Sequence, residues 1–446
     1  LEGKGQYLLS PHTIFLLTSR MESVAHRCAL HHLEMRVSDG EKMVTEFVMK
    51  YGFRVIGERD TDTSHQWSLK SKECNFIVTE IKPIKFSDSN RRKLATDPYV
   101  TGVTANDGWV DDSGSADTFQ TNISTVSNVA LEVNNLEKYL EKLEKCGVII
   151  IKPIQKVSNQ NGELLIATVK SCLENIVHSL VQRNNFKGHL LPGFKDPSPF
   201  SLSLNSSIKS DIDITHVDHV TFVCETGRSP SVLSWYEKCF GMMPFSLNRN
   251  DPDGSLVVKG PNVGLRLSAF DYWKCSETGL TFPGKNKLTF VIAEPFGSSG
   301  AYIIINICHS HVKTFMKQHN GPGVQHVGLH TDNIIDTIKT LKHNNVQFVE
   351  PPYTYYEEVG KLGDALIEDI ETIKCLGILL DSEDQPPNND LPEKYLMQMF
   401  TKPIFNQDTF FLEIIQRRGA VGFGSGNITA LCRAGTSVFF YSPSKR

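Results

Sequence analysis

The chain has 446 residues, of which 40 % are hydrophobic, enough to bury a sizeable core in two or three domains. Its 46 Lys and Arg residues nearly balance 50 Asp and Glu residues without a run of five like charges, which argues against nucleic acid or a charged membrane surface and for a small-molecule partner. Ten cysteines without a CxxC pair exclude a zinc ribbon or a disulfide scaffold and predict reduced thiols in an intracellular compartment.

The N-terminal stretch LLSPHTIFLLTSR before Met21 is apolar, with one Arg and no acidic residue. This composition is compatible with a signal or transit peptide. The longest apolar run, Ala301–Cys308, is far shorter than the roughly 18–20 residues needed to span a bilayer. We therefore expect no integral membrane segment.

One pattern occurs four times along the chain: a strand, a polar turn, an amphipathic helix and a second strand. The copies begin at His32, Asn128, His219 and His326, about 100 residues apart, a spacing that indicates an internal repeat. Alternation in HVGLHT predicts a strand, and the spacing of apolar residues in IIDTIKTLKHNNV predicts a helix. Later strands such as CNFIVTEI, LLIATVKS, NVGLRLSAF and YLMQMF make each copy a βαβββ module.

A single module cannot cover both faces of its own sheet, so the four modules should form two pairs. The predicted fold class is α+β, with two barrel-like domains at residues 28–193 and 214–434. A Ser- and Pro-rich stretch, Phe194–Asp213, lacks helical periodicity and is predicted to be the linker between them.

Three residues on predicted strands form a candidate metal site: His219 in DHVTF, His326 in QHVGL and Glu413 in FFLEII. Two imidazoles and one carboxylate are the ligand set of non-heme Fe(II) oxygenases. Aligning the repeats places a different set of residues opposite these three in the first half, namely His32, Asn128 and Ser179. The second half thus retains all three ligand types and the first half only one, which indicates a duplicated fold with one site lost.

Other interpretations of these residues exist. A single His on an apolar strand is more often a core histidine than a ligand, and Glu413 could be salt-bridged, although FFLEII contains no Lys or Arg. We interpret four further histidines as surface or structural residues: His216, His309, His311 and His343. The motif GFGSGN resembles a phosphate loop but lacks the following Lys and Ser/Thr, so a hinge is the better interpretation.

Several longer motifs resemble the 4-hydroxyphenylpyruvate dioxygenase family of the vicinal oxygen chelate superfamily. They are GPGVQHVGL, YLMQMFTKP, FFLEIIQRRG and GFGSGN, with HLLPGF before the linker. The resemblance implies glyoxalase/bleomycin-resistance-type barrels, a non-catalytic N-terminal domain and a C-terminal helix. It also implies that His219, His326 and Glu413 hold one Fe(II) per chain in the C-terminal domain.

The same resemblance assigns a substrate pocket. Its members are Gln398, Phe400, Phe411, Phe423, Asn427, Ile428, Leu267 and Ala293. Phe400 and Phe423 are expected to stack on the substrate ring. The last three members depart from the family, which has Phe, Ser and Asn at those positions, and the segment 297–311 matches poorly.

The implied reaction is the decarboxylating oxidation of 4-hydroxyphenylpyruvate, an aromatic 2-oxo acid, by O2. An aliphatic residue at Ile428 resembles hydroxymandelate synthases, so we expect 4-hydroxymandelate, with homogentisate from tyrosine catabolism as the alternative product. An extradiol dioxygenase and a non-catalytic binding module are further alternatives. Resemblance to the animal dioxygenase-like branch implies ubiquinone head-group synthesis in the mitochondrion, with the cytoplasm as the alternative. The oligomeric state stays open, a homodimer being one option.

Overall fold

The computed structural model describes residues 29–82, 84–85, 118–119, 123–208, 212–245, 278–281, 288–294, 311–351, 355–356, 370–382, 394–422, 424 and 427. The strands before the linker are β1 (Ala29–Val37), β2 (Arg54–Asp60), β3 (Ser64–Ser71), β4 (Cys74–Ile81), β5 (Ile84–Lys85), β6 (Thr118–Phe119), β7 (Thr125–Glu132), β8 (Ile150–Asn159), β9 (Gly162–Lys170) and β10 (Val177–Arg183). Those after it are β11 (Val217–Val223), β12 (Met243–Phe245), β13 (Thr278–Thr281), β14 (Thr289–Ala293), β15 (Gly323–His330), β16 (Leu379–Ser382), β17 (Tyr395–Phe400) and β18 (Phe411–Arg418). The helices are α1 (Gly40–Tyr51), α2 (Leu136–Lys145), α3 (Pro199–Ser206), α4 (Ser229–Phe240), α5 (His311–Gln318), α6 (Ile334–His343) and α7 (Ile370–Leu376).

Two eight-stranded sheets carry the fold, and their strand orders correspond one to one. The first runs β2-β3-β4-β1-β7-β10-β9-β8 and the second β12-β13-β14-β11-β15-β18-β17-β16. Each half of each sheet is one βαβββ module, and the two modules meet where β1 pairs with β7 and β11 with β15. The predicted α+β class with four paired βαβββ modules is confirmed.

Local signals define the helices of the modules. At α1, the Asp39 side chain accepts a hydrogen bond from the backbone N–H of Lys42 at 3.0 Å, the usual N-cap arrangement. The helix ends at Gly52, whose φ of 72° lies in the left-handed region that favours glycine. The buried face of α1, with Phe47 fully covered, packs on the sheet.

The second sheet has two faces of different chemistry. Alternate residues of its central strands, such as Val220, Val327 and Leu412, join an apolar core that extends through both halves of the chain. The residues between them point to the opposite face because side chains alternate along a strand. That inner face carries His219, Glu413 and their neighbours, so the core fixes the strands on which the candidate site stands.

Two details differ from the prediction. The linker contains a helix, α3, because Ser198 caps its first turn, Pro199 suits its start, and the Asn205 side chain accepts from Val55 N at 2.9 Å. The predicted strand NVQFVEPP forms only an isolated bridge at Phe348, and the next strand of that module is β16.

Part of the prediction lies outside the described residues. The predicted C-terminal helix, which the resemblance places at Asn427 and after it, is described only at Asn427, and the poorly matching segment 297–311 is described only at its last residue, His311. Among the described helices, none is both long enough and apolar enough to cross a bilayer.

Candidate metal centre

The three predicted ligands converge on the inner face of the second sheet. Oε2 of Glu413 lies 3.2 Å from Nε2 of His219 and 3.7 Å from Nε2 of His326. One potential ligand atom from each residue lies within 4.8 Å of the other two, and all three residues are buried. Within the described ranges, this is the one group of His, Cys, Asp or Glu side chains with metal-binding geometry.

Strand pairing explains why residues so distant in sequence meet. His219 pairs with Gly328 across β11 and β15, and Gly328 pairs with Glu413 across β15 and β18. His326 lies two residues before Gly328 on the same strand, so it shares its face. Paired residues of adjacent strands point to the same side of a sheet, and the ligand set therefore follows from the register.

In each of the two imidazoles, a polar side chain contacts Nδ1, while Nε2 is the ring nitrogen that lies near Glu413. Nδ1 of His219 lies 2.9 Å from Oδ1 of Asp218, and Nδ1 of His326 lies 3.3 Å from Oε1 of Gln325. If each Nδ1 carries the proton, each Nε2 presents a lone pair toward Glu413. Thr221 Oγ1 lies 2.8 Å from Nε2 of His326 and fits as a hydroxyl donor to that lone pair. Such outer partners orient metal-binding histidines and set their tautomer.

Asp218 is itself held by Arg417. The guanidinium donates through Nε and Nη2 to the two carboxylate oxygens at 2.7 and 2.8 Å, and through Nη1 to the carbonyl of Gly422. Burial would raise the pKa of the Asp218 carboxyl, but Arg417 and His219 outweigh burial and hold this pKa well below its ordinary value. Asp218 is therefore a carboxylate anchored on both sides.

The donor set fits a divalent metal ion. Desolvation alone would lower the pKa of His219, but the carboxylates of Glu413 and Asp218 outweigh desolvation and raise it to about 9. Without a metal, a proton on His219 thus balances the buried charge of Glu413. A divalent cation bound by the same three groups would take over that role and release the proton. Two imidazoles and one carboxylate suit Fe(II) in particular.

The first half has the same register without the ligands. Asn128 and Ser179 stand at the positions of His326 and Glu413, as the repeat alignment predicted. Asn128 Nδ2 donates to Ser179 Oγ at 3.0 Å and to Glu34 Oε2 at 3.3 Å, and Ser179 N donates to Asn128 Oδ1 at 2.9 Å. In the first half, Asn128, Ser179 and Glu34 are therefore hydrogen-bonded to one another at the place where the second half has its metal-ligand residues.

Four of the predicted pocket residues lie near the triad or its sheet. The Phe411 ring stacks on the His326 ring with centroids 4.7 Å apart, and Phe400 meets Phe411 edge-on at 6.1 Å. Phe400 pairs with Glu413, so Gln398, two residues before it, faces the same side. Gln398 is fully buried, and both polar atoms of its amide have no hydrogen-bond partner among the described residues. Asn427 is buried and lies in hydrogen-bonding contact with the Tyr355 hydroxyl.

Of the four other predicted pocket residues, one is described by the structure and three are not. Ala293 lies at the end of β14 in a small apolar cluster with Val223, Val312 and Phe315, and the described contacts do not place it with Gln398. Leu267, Phe423 and Ile428 lie outside the described residues.

The prediction missed Asp218, Gln325 and Arg417. A signal for the first two was present, since a polar residue directly precedes each ligand histidine in DHV and QHV. No local signal connects Arg417 with Asp218, because 199 residues separate them.

Comparisons with known proteins agree with the site. The chain is 29 % identical to the 4-hydroxyphenylpyruvate dioxygenase-like protein of Rattus norvegicus over 408 residues, 90 % of this chain and 94 % of the relative. It is also 29 % identical to the 4-hydroxyphenylpyruvate dioxygenase of Yarrowia lipolytica over 415 residues, 90 % of each chain. No family model matches the chain.

A solved structure shares the fold. A variant of 4-hydroxymandelate synthase from Streptomyces coelicolor superposes with a TM-score of 0.63 at 20 % identity, covering 92 % of this chain and 98 % of that one. By sequence and by fold, the chain is related to 4-hydroxyphenylpyruvate dioxygenases, which are enzymes, and to 4-hydroxyphenylpyruvate dioxygenase-like proteins. The resemblance predicted from its motifs is confirmed.

Proposed function

We propose that the protein oxidises 4-hydroxyphenylpyruvate with O2 and loss of CO2, using one Fe(II) held by His219, His326 and Glu413. The observation that carries this proposal is the meeting of both Nε2 atoms with the buried Glu413 carboxylate. The names of the relatives supply the substrate class. When bound, Fe(II) supplies the reaction with O2, which side chains alone do not perform.

The chain's own residues have three tasks in this reaction. The two histidines and Glu413 would hold the ion, which would supply the binding of the 2-oxo acid and the reaction with O2. Asp218 and Gln325 keep the imidazoles in the required orientation through Nδ1. The apolar wall formed by Phe411 and Phe400 excludes water and offers an aromatic surface to the substrate ring.

For the product we propose 4-hydroxymandelate, with homogentisate as an equally supported alternative. Oxidation at the benzylic carbon gives 4-hydroxymandelate. Oxidation at the ring carbon, with migration of the side chain, gives homogentisate. The resemblance assigns position 428 to the substrate pocket, where Ile428 would leave more space beside the substrate ring than the Phe of the family. The Streptomyces relative is a 4-hydroxymandelate synthase, whereas the Yarrowia relative is a dioxygenase.

We also propose that residues 214–434 form the catalytic domain and residues 28–193 a non-catalytic one. The ligands lie in the second half, and the equivalent positions of the first half are occupied by Asn128 and Ser179. By analogy with the dioxygenase-like relatives, the protein is proposed to act in the mitochondrion in ubiquinone head-group synthesis. The cytoplasm is the alternative location.

The test is a single-turnover reaction. Protein loaded anaerobically with Fe(II) is mixed with 4-hydroxyphenylpyruvate and then with O2, and the aromatic product and CO2 are quantified. We expect one CO2 per aromatic product, and no product from Glu413→Ala prepared in the same way. Turnover of catechols without CO2 release would instead indicate an extradiol dioxygenase. Full iron loading without turnover of either substrate would indicate a binding module.

A further inference from the structure

A buried tyrosine, Tyr355, holds Asn427 in place. The hydroxyl of Tyr355 accepts a hydrogen bond from Leu380 N at 2.8 Å, and its single proton is shared between Asn427 Oδ1 and the carbonyl oxygen of Leu380 at 3.0 Å. Tyr355 is fully buried and Asn427 nearly so. Since the Asn427 oxygen is engaged, the orientation of its amide is fixed.

The other end of this amide is available. Nδ2 of Asn427 is buried and has no hydrogen-bond partner among the residues that the structure describes. A buried donor without a partner costs roughly 1–3 kcal/mol, and native proteins leave few such groups. The nitrogen and the oxygen of the Gln398 amide are likewise buried and have no hydrogen-bond partner among the described residues. Two buried amides that lack a partner within the described part of the chain are suited to binding a polar ligand group.

The two amides lie in one region of the fold. Leu380, which bonds Tyr355, belongs to β16, and its neighbour Leu379 pairs with Gln398 on β17. Gly424, three residues before Asn427, packs directly on Gln398, since an added β-carbon would lie 2.3 Å from its Oε1. Tyr355 thus holds Asn427 beside the strand that carries Gln398.

We infer that Tyr355 is a positioning residue for substrate selection: it holds the Asn427 amide so that Nδ2, together with Gln398, binds the ring hydroxyl of the aromatic substrate. This inference rests on the proposed function. In that reaction the metal would hold the 2-oxo acid end, so the ring hydroxyl is the polar group left for these amides. A site built to bind a hydroxyl strongly rejects an analogue without it.

The chain offers a matched control for the test. Tyr356 is the next residue, is also buried, and donates from its hydroxyl to the carbonyl of Ile378 at 3.1 Å. Tyr355→Phe and Tyr356→Phe therefore each remove one buried hydroxyl from the same place in the fold. Only the first releases Asn427.

The experiment compares kcat/KM for 4-hydroxyphenylpyruvate and for phenylpyruvate, which lacks the ring hydroxyl. We expect Tyr355→Phe to reduce the preference for the hydroxylated substrate about tenfold, mainly through KM, and Tyr356→Phe to leave it within about twofold. An unchanged preference in Tyr355→Phe overturns the inference. Absence of turnover in the wild type would instead reject the proposed function, and the inference with it.

A double-mutant cycle separates positioning from general stability. In an Asn427→Ala background, Tyr355→Phe should cause no further loss of preference, because the group that Tyr355 holds is gone. Additive losses in the double variant would show that Tyr355 acts independently of Asn427 and would overturn the inference. Should Tyr355→Phe fold poorly, the preference of Asn427→Ala alone decides, since it must fall at least as far.

Discussion

The imidazole of His219 fills the space beside Gly328: a β-carbon added to Gly328 would lie 2.3 Å from Cε1 and 2.4 Å from Nδ1 of that ring. Real β-carbons do not approach other atoms so closely. The two residues face each other across β11 and β15, so only glycine lets the ring turn toward Glu413. In the first half, Ala130 stands opposite His32, whose Nδ1 instead lies 2.7 Å from Nδ1 of His31.

Gly328→Ala should therefore abolish metal binding, because the methyl group displaces the His219 ring. The sheet should still form, because glycine is itself a weak strand residue and alanine does not weaken the strand further. Isothermal titration with Co(II), an air-stable substitute for Fe(II), measures the effect, and circular dichroism checks the fold. Ala130→Gly, at the equivalent position of the first half, should bind as the wild type does. Wild-type affinity in Gly328→Ala would contradict this account of the glycine.

Arg417→Gln should lower the affinity for Co(II) about 10- to 100-fold, as loss of an outer partner of a metal ligand commonly does. Without the guanidinium, Asp218 loses the group that fixes it against His219. The control is Arg418→Gln, which removes the same charge from the adjacent, exposed residue. Equal affinities of the two variants would show that Arg417 does not support the metal site.

Ile428→Phe should shift the product from 4-hydroxymandelate toward homogentisate, because at the pocket position that the resemblance assigns to residue 428 the larger side chain would take up space beside the substrate ring. Mass spectrometry of the products measures the ratio. Ile428→Leu, which keeps the side-chain volume, should leave the ratio near that of the wild type. A ratio unaffected by the phenyl group would argue against steric control of the product.

His178 should make the fold sensitive to acid. Burial lowers its pKa from 6.5 to about 4, although its bond to the Val129 carbonyl opposes this effect, and its Nε2 lies 2.9 Å from the hydroxyl of Tyr236 in the second half. The unfolded chain binds a proton below about pH 6.5 that the folded chain excludes until about pH 4. The free energy of unfolding therefore falls as the pH drops through this interval, by about 2 kcal/mol at pH 5 from this residue.

Urea unfolding at pH 7.5 and pH 5 measures that loss. His178→Gln, which does not titrate, should lose about 2 kcal/mol less than the wild type between the two pH values. The exposed His343→Gln should lose as much as the wild type. A loss in His178→Gln equal to that of the wild type would refute the assignment.

The repeated pattern made the paired βαβββ modules and the metal-site residues predictable. Each module carries its own alternation of apolar and polar residues, so aligning the modules also aligned His219 with His32 and Glu413 with Ser179, which the register reproduces. Period-2 alternation placed the ligand residues on one face, opposite the core.

Contacts between distant segments were not predictable in this way. The pairing of Asp218 with Arg417 and of Tyr355 with Asn427 depends on how the strands curl, and no periodicity encodes it. The α3 helix was missed because Ser and Pro favour both loops and helix starts, and Ser198 and Pro199 serve the second role here.

His219, His326 and Glu413 are expected to hold a single ferrous ion. Anaerobic titration with Fe(II), read by calorimetry and by metal analysis after gel filtration, tests this expectation most directly. We predict one ion per chain for the wild type and for His32→Ala, and none retained by Glu413→Ala or His219→Ala. A wild type that binds no iron, or a Glu413→Ala protein that keeps a full equivalent, would contradict the account.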